Sequence, residues 1–305
     1  MRIVSLLPAA TEICFALDLD GDLVGVSPEC DYPPTARDRP ALSRARVDTD
    51  RSTSADISQR VGTALARGDP LYEIDEEGMR QAAPDVILTQ GLCEVCAPSV
   101  SDVRSVAARL AKKPRILALD PHSLKDVLED IQRVGAACGA AGTAKNVVEE
   151  LRERIERVGF LAAQASARPS TVCIEWVDPL FLAGHWVPEM VDIAGGADAL
   201  VKSGEPSRRI EPKELLLAAP EVAILMPCGF HLDRARTEAT ALAAQSWWRD
   251  LPAARKDRVW VADGSAYFSR PGPRLVDGIE ILAHILHPEI FPRPPSPKDA
   301  APWVG

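Results

Sequence analysis

Aromatic residues are scarce in this chain. They make up 5% of 305 residues, so a loop that sets aromatic rings side by side is informative. Excess positive charge is also lacking. The net charge is −9, from 35 basic and 44 acidic residues. That balance argues against non-specific nucleic-acid binding and against a polybasic membrane surface. No apolar run approaches the ~20 residues that cross a bilayer, so no membrane insertion is expected. The opening offers only Arg2 before the short run Ile3–Leu7, followed by Pro8 and Thr11-Glu12. A secretory leader needs a longer apolar stretch and a small-residue cleavage site. The expectation is therefore a cytoplasmic chain, or a periplasmic or cell-surface one if a leader has been removed. Enzyme templates are missing as well: there is no Gly-x-Ser-x-Gly, His-Glu-x-x-His or P-loop, and Gly195-Gly196 makes no phosphate-binding fingerprint. A non-catalytic role is the expectation.

The chain is 46% hydrophobic, enough for sizeable cores, and longer than one typical domain. Short apolar runs alternate with helical patterns. The first half predicts strands at Arg2–Leu7, Asp22–Val26, Asp85–Thr89 and Arg115–Leu119, and helices at Thr11–Leu17, Ser54–Arg67, Asp75–Ala82 and Val100–Lys112. The second half repeats the plan. Strands are expected at Thr171–Val177, Val222–Met226 and Arg258–Ala262, with helices at Pro188–Ile193, Pro212–Ala218, Ala239–Asp250 and Pro273–Leu286. Such alternation implies parallel sheets covered by helices. A weak repeat links the halves: Met79-Arg-Gln-Ala-Ala-Pro-Asp-Val-Ile-Leu resembles Leu216-Leu-Ala-Ala-Pro-Glu-Val-Ala-Ile-Leu. Each reads as a helix stopped by proline and fed into a buried strand.

Between the halves, Ser123–Ala167 shows no strand signal. Leu124, Val127, Leu128, Ile131 and Val134 have helical spacing, Gly139-Ala-Ala-Gly142 interrupts, and Val147, Val148, Leu151, Ile155, Val158 and Leu161 resume it. The segment from Thr143 to about Ala167 would span roughly 37 Å as one helix. The expected organisation is an N-terminal α/β lobe over 1–140, a connecting helix over 141–168, a C-terminal α/β lobe over 169–290 and a Pro-rich, extended or disordered tail over 291–305.

This order resembles the helical-backbone class of substrate-binding proteins that serve ABC importers of vitamin B12, siderophores, haem and some metals. Arg2-Ile-Val-Ser-Leu-Leu-Pro-Ala-Ala-Thr-Glu12 looks like the opening of the B12-receptor branch. Asp22-Leu-Val-Gly-Val26, Ala83-Pro-Asp-Val-Ile87 and Phe268-Ser-Arg-Pro-Gly-Pro-Arg-Leu-Val-Asp-Gly278 match it further along. The resemblance runs from about Arg2 to Pro288. It implies two Rossmann-like lobes with parallel sheets, joined by one long α-helix, with a ligand cleft between the lobes. It also implies a corrinoid such as cobalamin, or a related metal chelate, as ligand, and an ABC permease as partner where the protein serves transport.

In open parallel α/β sheets, ligands sit beyond the carboxyl ends of the strands. The unusual residues of this chain fall at those ends. Glu29, Cys30 and Tyr32 follow one predicted strand, and Cys93 and Cys96 another. Trp176, Asp178, His185 and Trp186 follow a third, Cys228, Phe230 and His231 a fourth, and Tyr267, Phe268 and Arg270 a fifth. The resemblance implies that these loops converge. Ligand contact is expected from Glu29, Tyr32, Trp176, Asp178, His185, Trp186, Phe230, Tyr267, Phe268 and Arg270; His231 is a weaker candidate.

Seven cysteines, an odd number without a leader, indicate reduced thiols. Cys14, Cys138 and Cys173 sit in apolar runs and read as small buried hydrophobes. Three readings of the others stay open. Cys30, Cys93, Cys96 and Cys228 could hold zinc or an iron–sulfur cluster as four thiolates, since Cys-x-x-Cys lets two sulfurs meet one metal centre. Cys93-Glu-Val-Cys96 ahead of a helix could instead do thiol redox chemistry. The thiols could equally be packing. A cysteine-ligated metalloprotein or redox enzyme is therefore the alternative to a corrinoid-binding protein.

Overall fold

A computed structural model describes residues 1–47, 49, 52–91 and 97–303. Its chain divides into two compact units, one made of residues 1–121 and 125–150, the other of 122–124 and 151–305. The first unit contains β1 (Ile3–Ser5), α1 (Pro8–Ala16), β2 (Leu23–Val26), β3 (Ser43–Ala45), α2 (Ser54–Arg67), β4 (Tyr72–Ile74), α3 (Glu76–Ala82), β5 (Val86–Gln90), α4 (Val100–Ala107) and β6 (Arg115–Leu119). Helix α5 (Leu124–Cys138) follows, and the chain passes into the second unit within α6 (Ala141–Ala162). The long helix expected from the periodicity is therefore present. At 22 residues it measures about 33 Å.

The first unit's sheet has the order β2-β1-β5-β6, and all three pairings are parallel. Strands β3 and β4, unforeseen in the sequence, pair antiparallel beside it. Val4, Leu6, Met79, Ile87 and Val103 form the core under α3 and α4.

The second unit contains β7 (Ser170–Val177), β8 (Leu180–Leu182), α7 (Val187–Ile193), β9 (Ala197–Asp198), β10 (Arg208–Arg209), α8 (Pro212–Ala218), β11 (Val222–Leu225), α9 (Leu232–Ala243), α10 (Pro252–Arg255), β12 (Val259–Ala262), α11 (Gly264–Tyr267), α12 (Leu275–Leu286) and β13 (Ala300–Pro302). Its sheet runs β10-β8-β7-β11-β12-β13, with β9 added alongside β7. The central strands β7, β11 and β12 are parallel, as the pattern predicts. The flanks are antiparallel: β8 folds back on β7, and β13 runs against β12. Val172, Ile174, Leu225, Trp248 and Val261 lie in its core.

One expectation needs correction, and another is sharpened. The helix expected over Ala239–Asp250 starts earlier, as α9 at Leu232, and a separate short turn covers Trp248–Asp250. The Pro-rich tail, expected to be extended or disordered, is extended at Ala300–Pro302, where it also joins the sheet. Strand β13 pairs with β12, Trp303 N–H donates to Val259 O at 2.8 Å, and His284 Nδ1 lies 2.7 Å from Phe291 O. Proline on an edge strand loses no obligatory ladder bond, so a Pro-rich segment can end the sheet.

Candidate functional site

In the first unit, the loops leaving β1 and β2 build a small polar network. Thr11 Oγ1 donates to Ser5 Oγ at 2.8 Å, and Ser5 Oγ donates to Leu7 O at 3.0 Å. Cys30 Sγ lies 3.0 Å from Thr11 Oγ1 and 3.3 Å from Ser27 Oγ. Ser5, Thr11, Ser27 and Cys30 are all buried, and each polar atom is satisfied by another. Cys30 is 2% exposed, so the accessible thiolate expected there is not what the fold provides. Glu29 is half-buried and Tyr32 exposed on the same loop. Cys93 and Cys96 lie outside the described residues.

Cys14, Cys138 and Cys173, expected as small buried hydrophobes, are buried. Burial pushes Cys14 and Cys173 well above the usual thiol range and Cys138 up to about 11. Among the described residues, no group of three or more His, Cys, Asp or Glu side chains is arranged to hold a metal ion. Among the described residues nothing supports the four-thiolate zinc or iron–sulfur reading or the redox reading. Cys30 belongs to a hydroxyl network in the first unit, while Cys228 is a half-buried loop residue of the second.

The second unit gathers more of the expected residues at the carboxyl ends of its parallel strands. Trp176, at the end of β7, and Phe230, after β11, meet with ring centroids 5.2 Å apart and a 43° tilt. Trp176 Nε1 donates to Asp178 O at 3.1 Å, which turns the indole over the β7–β8 corner. The Arg234 guanidinium lies 4.4 Å over the Phe230 ring. Cys228 is held by its N–H to Glu175 O at 2.9 Å. Close backbone approach locks this end of the sheet. A Cβ on Gly264 would lie 2.3 Å from Pro227 O and 2.5 Å from Met226 O, so only glycine fits.

His185 sits in a strained turn, with φ at 53°. Its N–H donates to Glu205 O at 2.6 Å and its carbonyl accepts from Gly204 N–H at 2.9 Å. Two opposed backbone bonds thus hold a conformation that a side-chain-bearing residue avoids. Its ring lies 5.7 Å from Trp186 and 5.8 Å from His122.

Three ligand candidates turn out to be packed inside. Trp186, Phe230 and Phe268 are 5%, 7% and 2% exposed. Trp186 Nε1 donates to Phe268 O at 2.8 Å, so the two brace one another. The reason is apolar area: large rings at a strand end fill the space under the loops before they can face solvent. Tyr267 bonds the Asp299 carboxylate and lies under the Arg274 guanidinium at 5.6 Å. It borders a groove of about 780 Å³ with Arg157, Val158, Glu280 and Phe291. Trp176, Asp178, His185 and Arg270 keep partial or full exposure.

One pair was not read from the sequence. His231 Nδ1 lies 2.9 Å from Asp263 Oδ2, at the ends of β11 and β12. Asp263 also caps α11, its Oδ1 accepting from Ala266 N–H at 2.7 Å. An aspartate between a strand and a short helix is a capping signal. Nothing in the spacing of 32 residues ties it to a histidine.

Comparison with known proteins decides the family. The model of the family described as "Periplasmic binding protein" matches residues 3–266. The chain belongs to the periplasmic binding protein family. A vitamin B12-binding protein of Vibrio cholerae is 23% identical over 292 residues, covering 93% of this chain and 88% of that protein. A Bacillus subtilis ABC transporter substrate-binding lipoprotein is 22% identical, covering 95% of this chain and 81% of the relative. Among solved structures, a periplasmic heme-binding protein of Pseudomonas aeruginosa superposes with a TM-score of 0.74 at 19% identity, over 100% of this chain and 99% of its own. The periplasmic heme-binding protein RhuT from Roseiflexus gives 0.72 at 22% identity, over 95% and 98%. At these identities the structural likeness speaks for the fold. As a periplasmic binding protein, the chain has relatives described as periplasmic or as a lipoprotein, and the cytoplasmic expectation finds no support among them.

Proposed function

We propose that this periplasmic binding protein captures a metal-bearing tetrapyrrole, a corrinoid such as cobalamin or a haem-type ligand, and delivers it to an ABC permease. The reading places the protein outside the cytoplasm, in the periplasm or at the cell surface. It requires no chemistry on the ligand. The relatives' names point to B12 and haem. The observation that carries the reading in this chain is the half-buried Trp176 indole at the carboxyl end of β7, backed by the buried Phe230 ring with Arg234 over it.

The physical logic is simple. A flat macrocycle offers a large apolar face and an edge of polar or anionic substituents. An indole at a strand end supplies apolar contact worth on the order of 2.5 kcal/mol gross per 100 Å² removed from water. Association costs then take their share. Asp178, Arg234 and Arg270 supply polar and charged groups for the periphery.

The test is to purify the protein from its native host and analyse what comes with it by mass spectrometry and visible absorption. A stoichiometric corrinoid or haem is the expected result. A different class of small molecule bound at one equivalent overturns the proposal.

A further inference from the structure

The short helix α11 is bonded to the loops that carry the aromatic residues of the second unit. Ser265 N–H donates to Phe230 O at 3.1 Å, and the Phe230 ring backs the Trp176 indole, with centroids 5.2 Å apart. Just past the other end of α11, Phe268 O accepts from Trp186 Nε1 at 2.8 Å. A shift of α11 is therefore passed to Phe230 through one hydrogen bond, and from Phe230 to Trp176 through ring contact.

Three contacts hold α11 in place. Gly264 brings the helix against the Met226 and Pro227 carbonyls, so closely that a Cβ would lie 2.5 Å and 2.3 Å from them. Gly278 of α12 comes equally close to Tyr267 O, which a Cβ would meet at 2.4 Å. Both are approaches of backbone to backbone that only glycine permits. The third contact is a single residue of the C-terminal segment. Asp299 O accepts from the N–H of Asp263, the residue that caps α11, at 2.8 Å, and the Asp299 carboxylate accepts from the hydroxyl of Tyr267, the last residue of α11. Asp299 thus brackets the helix from end to end. It is fixed in turn: its N–H donates to Ser296 O at 2.8 Å, and its neighbour Ala300 pairs with Ala262 in the β12–β13 ladder. A helix of four residues closes a single turn and has little stability of its own, so its position depends on such outside bonds.

We propose that Asp299 is a positioning residue for ligand binding: it staples both ends of α11, and through α11 it holds Phe230 and Trp176 in the orientation that receives the ligand. The proposal rests on the functional reading above and gives the C-terminal segment a part in it. Asp299 acts without touching the ligand. An aromatic face held in its binding orientation has less freedom to lose when the ligand arrives, so a loosened α11 adds an ordering cost to binding.

The experiment measures the affinity of the full chain for ferric haem and for cyanocobalamin, together with amide hydrogen exchange of the free protein. The variants are Asp299→Ala, which removes the acceptor, Asp299→Asn, which keeps an oxygen in its place, Tyr267→Phe, and the Asp299→Ala/Tyr267→Phe double. His284→Ala is the control: it removes the contact to Phe291 O at 2.7 Å, which ties down the same segment through α12 instead of α11. Asp299→Ala is expected to bind the recognised probe about 3- to 10-fold more weakly, the scale of one hydrogen bond. Its exchange should quicken over residues 227–235 and 263–269 and stay unchanged in β8. Asp299→Asn should bind close to wild type, and the double variant should lose no more than Asp299→Ala alone. Affinity in His284→Ala should be unmoved. Wild-type affinity in Asp299→Ala, or an equal loss in His284→Ala, overturns the assignment and leaves tetrapyrrole capture standing. A wild type that binds neither probe overturns the functional reading, and the assignment with it.

Discussion

In the first unit, α3 ends at Ala83 with φ 40°, Pro84 follows, and the Asp85 carboxylate accepts from Arg2 N–H at 2.8 Å at the start of the neighbouring strand. In the second unit, α8 ends at Ala219 with φ 47°, Pro220 follows, and the Glu221 carboxylate accepts from Ser170 N–H at 3.1 Å. The backbone repeats too: Asp85 N–H donates to Arg2 O, and Glu221 N–H to Ser170 O, both at 2.8 Å. The amino ends of the two sheets are thus built to one plan. Their carboxyl ends are not. The first carries a buried hydroxyl and thiol network around Cys30. The second carries Trp176, Phe230 and the His231–Asp263 pair. A shared scaffold with divergent loops locates function in the loops, since the joint is already accounted for by folding.

The comparison can be broken in several ways. The largest effect is expected from glycines at the carboxyl ends. Gly264→Ala would drive a Cβ into the Pro227 and Met226 carbonyls and should cost about 2–4 kcal/mol. Gly91→Ala in the first unit would bring its Cβ no nearer than 3.4 Å to Asp120, its nearest neighbour among the described residues, and should stay within about 0.5 kcal/mol. Thermal unfolding of both variants checks this; equal losses would mean that the two ends are equally tight.

Next in size is binding. Trp176→Ala should weaken tetrapyrrole affinity by about 2 kcal/mol, roughly 30-fold, and Tyr32→Ala, on the first unit's exposed loop, by less. Calorimetric titration distinguishes them. The reverse ranking would move the main contact to the first unit.

A smaller effect tests electrostatics in the first unit. Burial pushes the Asp130 carboxyl up to about 6, against the Arg133 guanidinium that draws it down, and its Oδ2 has no hydrogen-bond partner among the described residues. The folded state therefore holds its proton to higher pH than the unfolded chain. Stability is highest for this group below pH 4 and declines as pH rises from about 4 to about 6. Asp130→Asn should remove that slope and stabilise the protein by about 1–2 kcal/mol at pH 7, with little change below pH 4. Denaturant unfolding across that range measures it; a variant less stable at pH 7 would contradict the assignment.

The smallest effect belongs to the shared joint. Ala83→Gly and Ala219→Gly each relieve a left-handed alanine while loosening the unfolded chain, for a net gain of about 0.5 kcal/mol. Similar gains at both sites are expected from the shared geometry. Opposite signs would break the equivalence.

The sequence made the joint legible because Ala-Ala-Pro-acid followed by an apolar run has one reading, and both copies carried it. Longer elements were legible from their apolar patterns: strand β6 and helix α8 have the bounds that those patterns predict. Short antiparallel additions were not. β8, β10 and β13 are two or three residues each, too brief for a periodic signal, and β13 hides in a Pro-rich stretch. At the site, chemistry was readable but direction was not. Trp186, Phe230 and Phe268 look like Trp176 in sequence, yet packing turns them inward. The His231–Asp263 contact arises from the adjacency of β11 and β12, which no local pattern encodes.

The most direct test of the account is an absorbance titration of the purified protein with aquocobalamin and ferric haem under stoichiometric conditions. The account predicts a sharp one-to-one endpoint with one of them, accompanied by quenching of indole fluorescence that is largely lost in Trp176→Ala. Linear, unsaturable signals with both probes, leaving the fluorescence unchanged, would contradict it.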